Sequence, residues 1–168
     1  FKQTDFHDVL PYDMELNLRM TMLNDFPLSE VSLVEGTPPR VAGNPPMLEF
    51  VLARRKGENL DTLFTTVFEP YQEKRYIASM TSVPVSAVAG TEGENDTAKA
   101  ICVTHTDGRM DYIVYATNNQ VTYRVADLFE FQGFVGVYTV KNDENIYNYI
   151  NDGSQIGDLT ATPAYTGK

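Results

Sequence analysis

The chain has 168 residues, one cysteine and a formal net charge of −10 at neutral pH. This length suits one domain, or one domain with a small appendage, and the single Cys102 excludes an internal disulfide. The charge argues against nucleic-acid binding, which needs Lys and Arg side chains on phosphates. No apolar run approaches the roughly 18 residues of a membrane-spanning helix, so neither nucleic acid nor a membrane span is predicted.

Most of the N-terminal half is predicted to form short strands. Residues 14–22 alternate apolar and polar side chains, which indicates a strand with one buried face rather than a helix. Further strands are predicted at 31–34, 47–53 and 63–68, and the last two flank a polar loop, 54–61. Proline pairs at 38–39 and 45–46 place loops there, and Pro84 marks an edge or an end of the strand predicted at 75–85.

The strongest local signal is Asp107-Gly108, which lies between two alternating strands, 99–106 and 109–117. An Asp-Gly pair in this position predicts a two-residue hairpin with a type I′ turn. The register would then pair Thr106 with Arg109 and His105 with Met110. The predicted core face is Ile101, Val103, His105, Met110, Tyr112 and Val114; the opposite face is Cys102, Thr104, Asp111 and Ile113.

The C-terminal part continues with short strands and turns. Strands are predicted at 120–125, 134–141, 145–151 and 155–159, with turns at Asn118-Asn119 and Asn142-Asp143 and a second hairpin turn at Asp152-Gly153. Residues 160–168 have no apolar period and are predicted to be a loose tail. About ten to eleven strands and no convincing long helix indicate an all-β fold, a two-sheet antiparallel β-sandwich.

Several sequence motifs of the chain resemble those of one protein family. They are a strand ending in Ala53-Arg54-Arg55, the loop Lys56-Gly57-Glu58-Asn59, and the strand Phe64-Thr65-Thr66-Val67-Phe68-Glu69-Pro70-Tyr71. This order is similar to the C-terminal β-sandwich of heparinase II/III-type polysaccharide lyases. The hairpin around Asp107-Gly108, the closing strands from Phe131 and the stretch Phe6 to Pro11 extend the resemblance over roughly 5–159. It implies a sandwich domain at 1–159, followed by the tail.

The resemblance implies a parent enzyme with a helical toroid, a central antiparallel sheet and a further β-layer. Such enzymes cleave uronate-containing polysaccharides by β-elimination, and most of their catalytic residues lie on the toroid. No stretch here resembles the toroid. The chain is therefore expected to be a non-catalytic accessory domain that braces the catalytic parts, is inactive alone and needs no cofactor.

The implied partners and location follow from the same resemblance. The partners would be an acidic polysaccharide or oligosaccharide, bound through the parent enzyme, and the toroid of the same parent chain. The location would be periplasmic or secreted, in a bacterium. Because the chain starts at Phe1 rather than Met, we expect it to be a piece of a longer protein.

The candidate site residues are few. His7 is a weak catalytic candidate, because an imidazole suits a base near neutral pH; with Asp8 alone it does not make a metal site, and no metal is predicted. Arg54 and Arg55 lie in the densest basic cluster of the chain. This cluster has two interpretations: a binding site for an acidic glycan, or the solvated end of a strand. If Ile146 and Ile150 face the core, Tyr147 and Tyr149 face solvent.

The tyrosine pair leaves alternatives open. Exposed Tyr147 and Tyr149 could stack on sugar rings or pack against another layer of the parent enzyme. A stand-alone carbohydrate-binding module and a structural or adhesion sandwich are therefore the competing hypotheses. The first is favoured if these tyrosines are exposed and bind sugar, and the second by an exposed apolar patch without glycan binding.

Overall fold

The computed structural model describes residues 16–24, 26–60, 62–90 and 97–165. These residues contain no helix and form fourteen strands, all paired antiparallel. The prediction of an all-β, sandwich-like fold is confirmed, with more strands than expected. The chain divides into two compact units, Phe1–Lys74 and Arg75–Lys168.

Unit 1, Phe1–Lys74, contains two separate two-stranded sheets. In one sheet β1 (Leu16–Met22) pairs with β4 (Thr66–Gln72), and in the other β2 (Glu30–Gly36) pairs with β3 (Leu48–Arg54). The strands predicted on either side of the polar loop are thus present as β3 and β4, but they do not pair with each other. Leu18, on the predicted buried face of β1, keeps 37% of its surface exposed.

Unit 2, Arg75–Lys168, is built from two five-stranded sheets. The order in the sheet of longer strands, here called the long sheet, is β12 (Glu144–Asn151), β11 (Val135–Lys141), β8 (Met110–Ala116), β7 (Ala98–His105) and β5 (Ile77–Val83). The order in the other, here called the short sheet, is β14 (Leu159–Thr160), β13 (Gln155–Ile156), β10 (Phe129–Gln132), β9 (Tyr123–Val125) and β6 (Val85–Ala87).

The chain changes from one sheet of unit 2 to the other at several points, and two of them are Pro84 and Asp152-Gly153. Pro84 separates β5 from β6, which confirms the predicted strand end. The hairpin predicted at Asp152-Gly153 is wrong, because β13 pairs with β10 of the short sheet and not with β12. A Cβ on Gly153 would lie 2.4 Å from Ile150 Cδ1 and 2.5 Å from the carbonyl oxygen of Gln132. Glycine is therefore needed for close packing at this crossing.

Both sheets contribute to the core of unit 2. Its buried members are Ala100, Val114, Ala116, Val121, Tyr123, Val125, Phe129, Phe131 and Ile156. Phe131 and Ile156 are fully buried and pair across β10 and β13. The backbone at Gly136 is so close to both side chains that a Cβ there would lie within 2.8 Å of each. These positions are apolar, and many are β-branched or aromatic, so their burial holds the long sheet and the short sheet together.

The register of the β7–β8 hairpin differs from the predicted one by one residue. Thr104 pairs with Met110, and the His105 N–H donates to the Arg109 carbonyl at 2.8 Å, so the loop has three residues. Gly108 has φ of +83° while Asp107 does not have a positive φ, which fits a type I turn closed by a glycine bulge rather than type I′.

A one-residue change of register moves one strand's side chains to the opposite face. The core face of this hairpin therefore carries Ala100 and Cys102 together with Tyr112 and Val114. The prediction that His105 and Met110 share the core face is wrong, because Met110 lies on the face of Tyr112 and Val114 and His105 lies on the other. His105 instead shares the outer face with Asp111, which the sequence had placed on the opposite side.

The described part of the segment predicted as a tail makes specific contacts. Thr160 pairs with Gln155 in β14. The Asn119 Nδ2 group donates to the carbonyl oxygens of Asp152 at 2.8 Å and Tyr165 at 2.6 Å. The Tyr165 ring also stacks on Phe134, with centroids 6.1 Å apart. These contacts hold the chain against unit 2 as far as Tyr165.

Candidate functional site

An aromatic strip lies on the outer face of β12. Tyr147 is 55% exposed and Tyr149 is 45% exposed. Ile150 packs against the core of unit 2, whereas Ile146 is 54% exposed. The register between β11 and β12 shifts between Thr139 and Val140, so Ile146 is the extra residue of a bulge. The expected outward direction of both tyrosines is thus observed, although only one of the two isoleucines reaches the core.

The cross-strand neighbours of the strip belong to the same outer face of the long sheet. Thr139 pairs with Tyr147 on one side and with Asp111 on the other. Val137 lies in the same way between Tyr149 and Ile113. Directly paired residues of one face are within side-chain contact distance of each other. Thr139, which is buried, therefore links Tyr147 to the carboxylate of Asp111 beneath the surface.

Asp111 is the centre of a polar cluster that joins β7, β8 and β11. Its Oδ2 lies 2.7 Å from His105 Nε2 and 3.2 Å from Arg109 Nη2. Its Oδ1 accepts a hydrogen bond from Thr139 Oγ1 at 2.9 Å. Arg109 Nη2 also lies 3.0 Å from the same imidazole nitrogen, so His105, Arg109 and Asp111 are in mutual contact. The Tyr76 ring lies nearly parallel to the imidazole, with centroids 6.1 Å apart.

This cluster is arranged to brace three strands. Both oxygens of Asp111 have partners: Thr139 Oγ1 donates to Oδ1, and His105 Nε2 lies 2.7 Å from Oδ2. The Thr139 hydroxyl also donates to Asp111 instead of facing a base. A nucleophile would need its proton directed at a base. The cluster therefore holds three strands in register and fixes the outer surface beside Tyr147.

The turn below the cluster is held by a second, exposed ion pair. Lys141 Nζ donates to Asp107 Oδ2 at 2.8 Å, and the Arg109 N–H donates to Asp107 Oδ1 at 3.1 Å. The hydrogen bond from Lys141, followed by that from the Arg109 backbone, holds the pKa of Asp107 below its ordinary value of 3.8. A lowered pKa means that the ionised carboxylate is favoured in the folded chain.

We expect Lys141→Gln to raise the pKa of Asp107 toward 3.8. Because the folded pKa is depressed, the contribution of this pair to stability is present above the unfolded pKa and is lost as the pH falls through the folded one. The measurement is an NMR titration of the Asp107 carboxyl carbon, at low and at high salt. High salt should reduce the shift, since the pair is exposed. An unchanged Asp107 titration in the variant would contradict the assignment.

The other predicted site residues lie elsewhere. Arg54 and Arg55 belong to unit 1, where Arg54 Nη1 lies 3.7 Å from Glu30 Oε2 and both side chains are exposed. Arg55 Nη1 donates to Thr62 Oγ1 at 3.1 Å, and its guanidinium lies 4.4 Å from the Phe26 ring centroid. Both arginines thus have local partners in unit 1. His7 lies outside the described residues.

Sequence reasoning missed the His105–Asp111 cluster. The error came from the two-residue turn assigned to Asp107-Gly108, which placed the two side chains on opposite faces. A three-residue loop with glycine in its last position is also a common hairpin, and that alternative would have put them together.

Comparison with known proteins gives no match: no family model, no curated protein and no solved structure is significantly similar to the chain. In the described ranges, no helix is long and apolar enough to cross a membrane. Among the same residues, no three His, Cys, Asp or Glu side chains are grouped so that they could hold a metal ion.

Proposed function

We propose that this chain is a non-catalytic accessory β-domain of a periplasmic or secreted uronate-polysaccharide lyase of the heparinase II/III-like kind. It braces the catalytic domains of its parent and contacts the glycan with the outer face of the long sheet. The observation that carries the glycan contact is the exposure of Tyr147 and Tyr149 at neighbouring outward positions of one strand. The link to this class of lyase depends on the sequence resemblance.

Two tyrosines in this arrangement suit an extended sugar chain. Outward residues two apart on a strand are separated by about 7 Å along it. Each ring offers an apolar face for stacking and a hydroxyl that remains in water. The β12 backbone is paired with β11 on both sides of the bulge at Ile146, so the platform is formed before a ligand arrives. The strip can therefore bind without ordering a loop.

The charges of this face predict weak binding by the chain alone. Arg109 and Lys141 lie beside the strip on the outer face, but each faces a carboxylate, Asp111 and Asp107 respectively. The chain as a whole carries a net charge of −10. An acidic glycan is therefore not drawn in by long-range attraction. A low affinity here would still assist a parent enzyme, because a second contact on one chain acts at high effective concentration.

We expect Tyr147→Ala and Tyr149→Ala each to weaken binding of a uronate oligosaccharide by about two- to tenfold, which corresponds to about 0.5–1.5 kcal/mol per stacked ring. Binding is measured by NMR titration or isothermal calorimetry on the full chain. Tyr147→Phe and Tyr149→Phe are the matched controls, since they keep the ring. The proposed glycan contact would be overturned if the chain bound no uronate oligosaccharide, or if the alanine variants bound it as tightly as the unsubstituted chain.

The accessory role is tested separately from the glycan contact. The coding sequence upstream of Phe1 should encode a long helical region with Tyr, His and Arg in polar pockets. If it encodes only a signal peptide or a stop codon, the chain is a stand-alone carbohydrate-binding module instead. The tyrosine variants would then still lose binding, so the two results distinguish the hypotheses.

A structural or adhesion role is the second candidate, and it is favoured by the hairpin of β2 and β3 in unit 1. Both faces of this hairpin carry exposed apolar side chains: Val31, Leu33, Val34, Leu48, Phe50 and Leu52. A two-stranded sheet is only marginally stable by itself. Such a surface suits packing against another protein, which a structural or adhesion role requires.

A further inference from the structure

A cleft in unit 2 lies apart from the tyrosine strip. Its volume is about 370 Å³, and the residues that line it are Arg124, Leu128, Phe129, Glu130, Tyr138, Gln155, Gly157 and Asp158. The cleft is formed by the β9–β10 turn and the β13–β14 turn together with the Tyr138 ring from β11. Its volume is at the lower end of the range of small-molecule sites. It suits one compact ligand rather than a chain.

One wall of the cleft is aromatic. The rings of Phe129 and Tyr138 are stacked, with centroids 4.2 Å apart and an interplanar angle of 11°. Gly157 lies against the Tyr138 ring, where an added Cβ would be 2.7 Å from Tyr138 Cε2. The Gly157 backbone also has a positive φ of +54°. Any side chain at this position would push the ring away and strain the turn. Glycine therefore preserves the shape of the wall.

The rim is polar and carries both donors and acceptors. Arg124 Nη2 lies 2.6 Å from Glu130 Oε1, and about half of the arginine side chain is exposed. Asp158 is exposed in the β13–β14 turn. Gln155 Nε2 donates to the Gly157 carbonyl oxygen at 3.4 Å. The rim thus carries one guanidinium and two carboxylates, so it has no excess of positive charge for an anionic ligand.

The turn beside the cleft has an unusual backbone. Ala126 and Asp127 have φ of +52° and +53°. This conformation is unfavourable for alanine. The Ala126 N–H donates to the Pro84 carbonyl oxygen and the Leu128 N–H to that of Val125, each at 2.9 Å. Leu128, at 48% exposure, is thereby held at the mouth of the cleft. Strained backbone of this kind is concentrated at ligand sites.

From this geometry we infer that the cleft binds a single neutral sugar ring. Each sugar hydroxyl both donates and accepts, which matches a rim that mixes a guanidinium, carboxylates and an amide. The C–H groups of the sugar ring would contact Leu128 at the mouth, while the accessible lining of the cleft itself, which is almost entirely polar, would bind the hydroxyls. A sugar that carries a carboxylate would be opposed by Glu130 and Asp158. This inference concerns a site separate from the proposed glycan platform and does not depend on it.

The test is an NMR titration of the isotope-labelled full chain with glucose, galactose and mannose, and with glucuronate as the anionic counterpart. At least one neutral hexose should give saturable shifts of the Leu128, Gln155 and Gly157 amides at millimolar concentrations. Glucuronate should bind about tenfold more weakly. No saturable shift with any of the three neutral sugars would overturn the inference, and so would glucuronate that binds as tightly as they do.

Variants connect the binding to the cleft. Arg124→Gln and Asp158→Asn should each weaken binding of the neutral sugar about tenfold, because each removes a charged hydrogen-bonding group. Asp143→Asn is the matched control: it removes an exposed turn carboxylate of the same unit outside the lining. Tyr147→Ala should leave this binding unchanged. If Tyr147→Ala abolishes it while the Arg124 and Asp158 variants bind normally, the sugar occupies the strip and the inference is wrong.

Discussion

Replacing Phe131 with alanine should lower the free energy of unfolding of unit 2 by about 3–5 kcal/mol. The Phe131 side chain is fully buried and belongs to a core to which both sheets contribute. The glycines at 133 and 136 lie so close that their missing Cβ atoms would fall within 3.1 Å of the Phe131 ring. The rigid backbone at these two glycines prevents the space left by the Phe131 ring from closing after truncation. A cavity therefore remains, and the loss of unfolding free energy should lie at the upper end of this range.

The loss is measured by urea unfolding of the full chain, followed by circular dichroism and tyrosine fluorescence, since the chain has no tryptophan. The matched control is Tyr147→Ala, which also removes an aromatic ring but from a position that is 55% exposed. We expect that control to change stability by less than about 1 kcal/mol. Equal losses in the two variants would mean that the core of unit 2 is not centred on Phe131.

Replacing Asp111 with alanine should destabilise unit 2 by about 2–3 kcal/mol. Its carboxylate accepts a hydrogen bond from Thr139, lies 2.7 Å from His105 Nε2 and pairs with the Arg109 guanidinium, and the His105 and Asp111 side chains are only 12% and 17% exposed. Removal of the carboxylate leaves the Thr139 hydroxyl and the His105 ring nitrogen without this partner, and it takes the counter-charge away from Arg109. Leaving buried donors without a partner costs more than the bond itself contributed.

The control lies on the same hairpin. Asp107 also accepts hydrogen bonds from a lysine and a backbone N–H, but it is exposed. Asp107→Ala should therefore have a much smaller effect than Asp111→Ala, because exposed ion pairs contribute little. Both variants are compared by urea unfolding at one pH and salt concentration. If the two losses are alike, the cluster around Asp111 is not the brace that its geometry indicates.

The Asp107-Gly108 hairpin shows how far local sequence reasoning reaches. Both strands and the position of the turn were predicted correctly from alternation and from the Asp-Gly pair. The loop length was not, because Asp-Gly fits both a two-residue type I′ turn and a three-residue loop with a glycine bulge. The difference of one residue exchanges the faces of β8 relative to β7. The candidate polar cluster therefore escaped prediction, although His105, Asp111 and Thr139 all lie in correctly predicted strands.

The outward direction of Tyr147 and Tyr149 could be predicted from the sequence, because it depends only on the two-residue period of one strand. Successive side chains of a strand point to opposite faces, so one buried residue in the strand decides the direction of its neighbours. Ile150 does pack on the core and both tyrosines point outward. The bulge at Ile146 could not be anticipated, since it depends on how β12 pairs with β11. It leaves the direction of the tyrosines unchanged.

The sequence by itself determined the all-β class, most of the strand positions and several turns, including Asn142-Asp143. These features depend on side-chain alternation and on residues that tolerate a positive φ, which are properties of a few neighbouring residues. Only the tertiary structure decided which strands pair. β3 and β4 are neighbours in sequence yet pair with β2 and β1, and β12 and β13 lie in different sheets. Pairing depends on contacts between residues far apart in the chain, and no local pattern encodes those contacts.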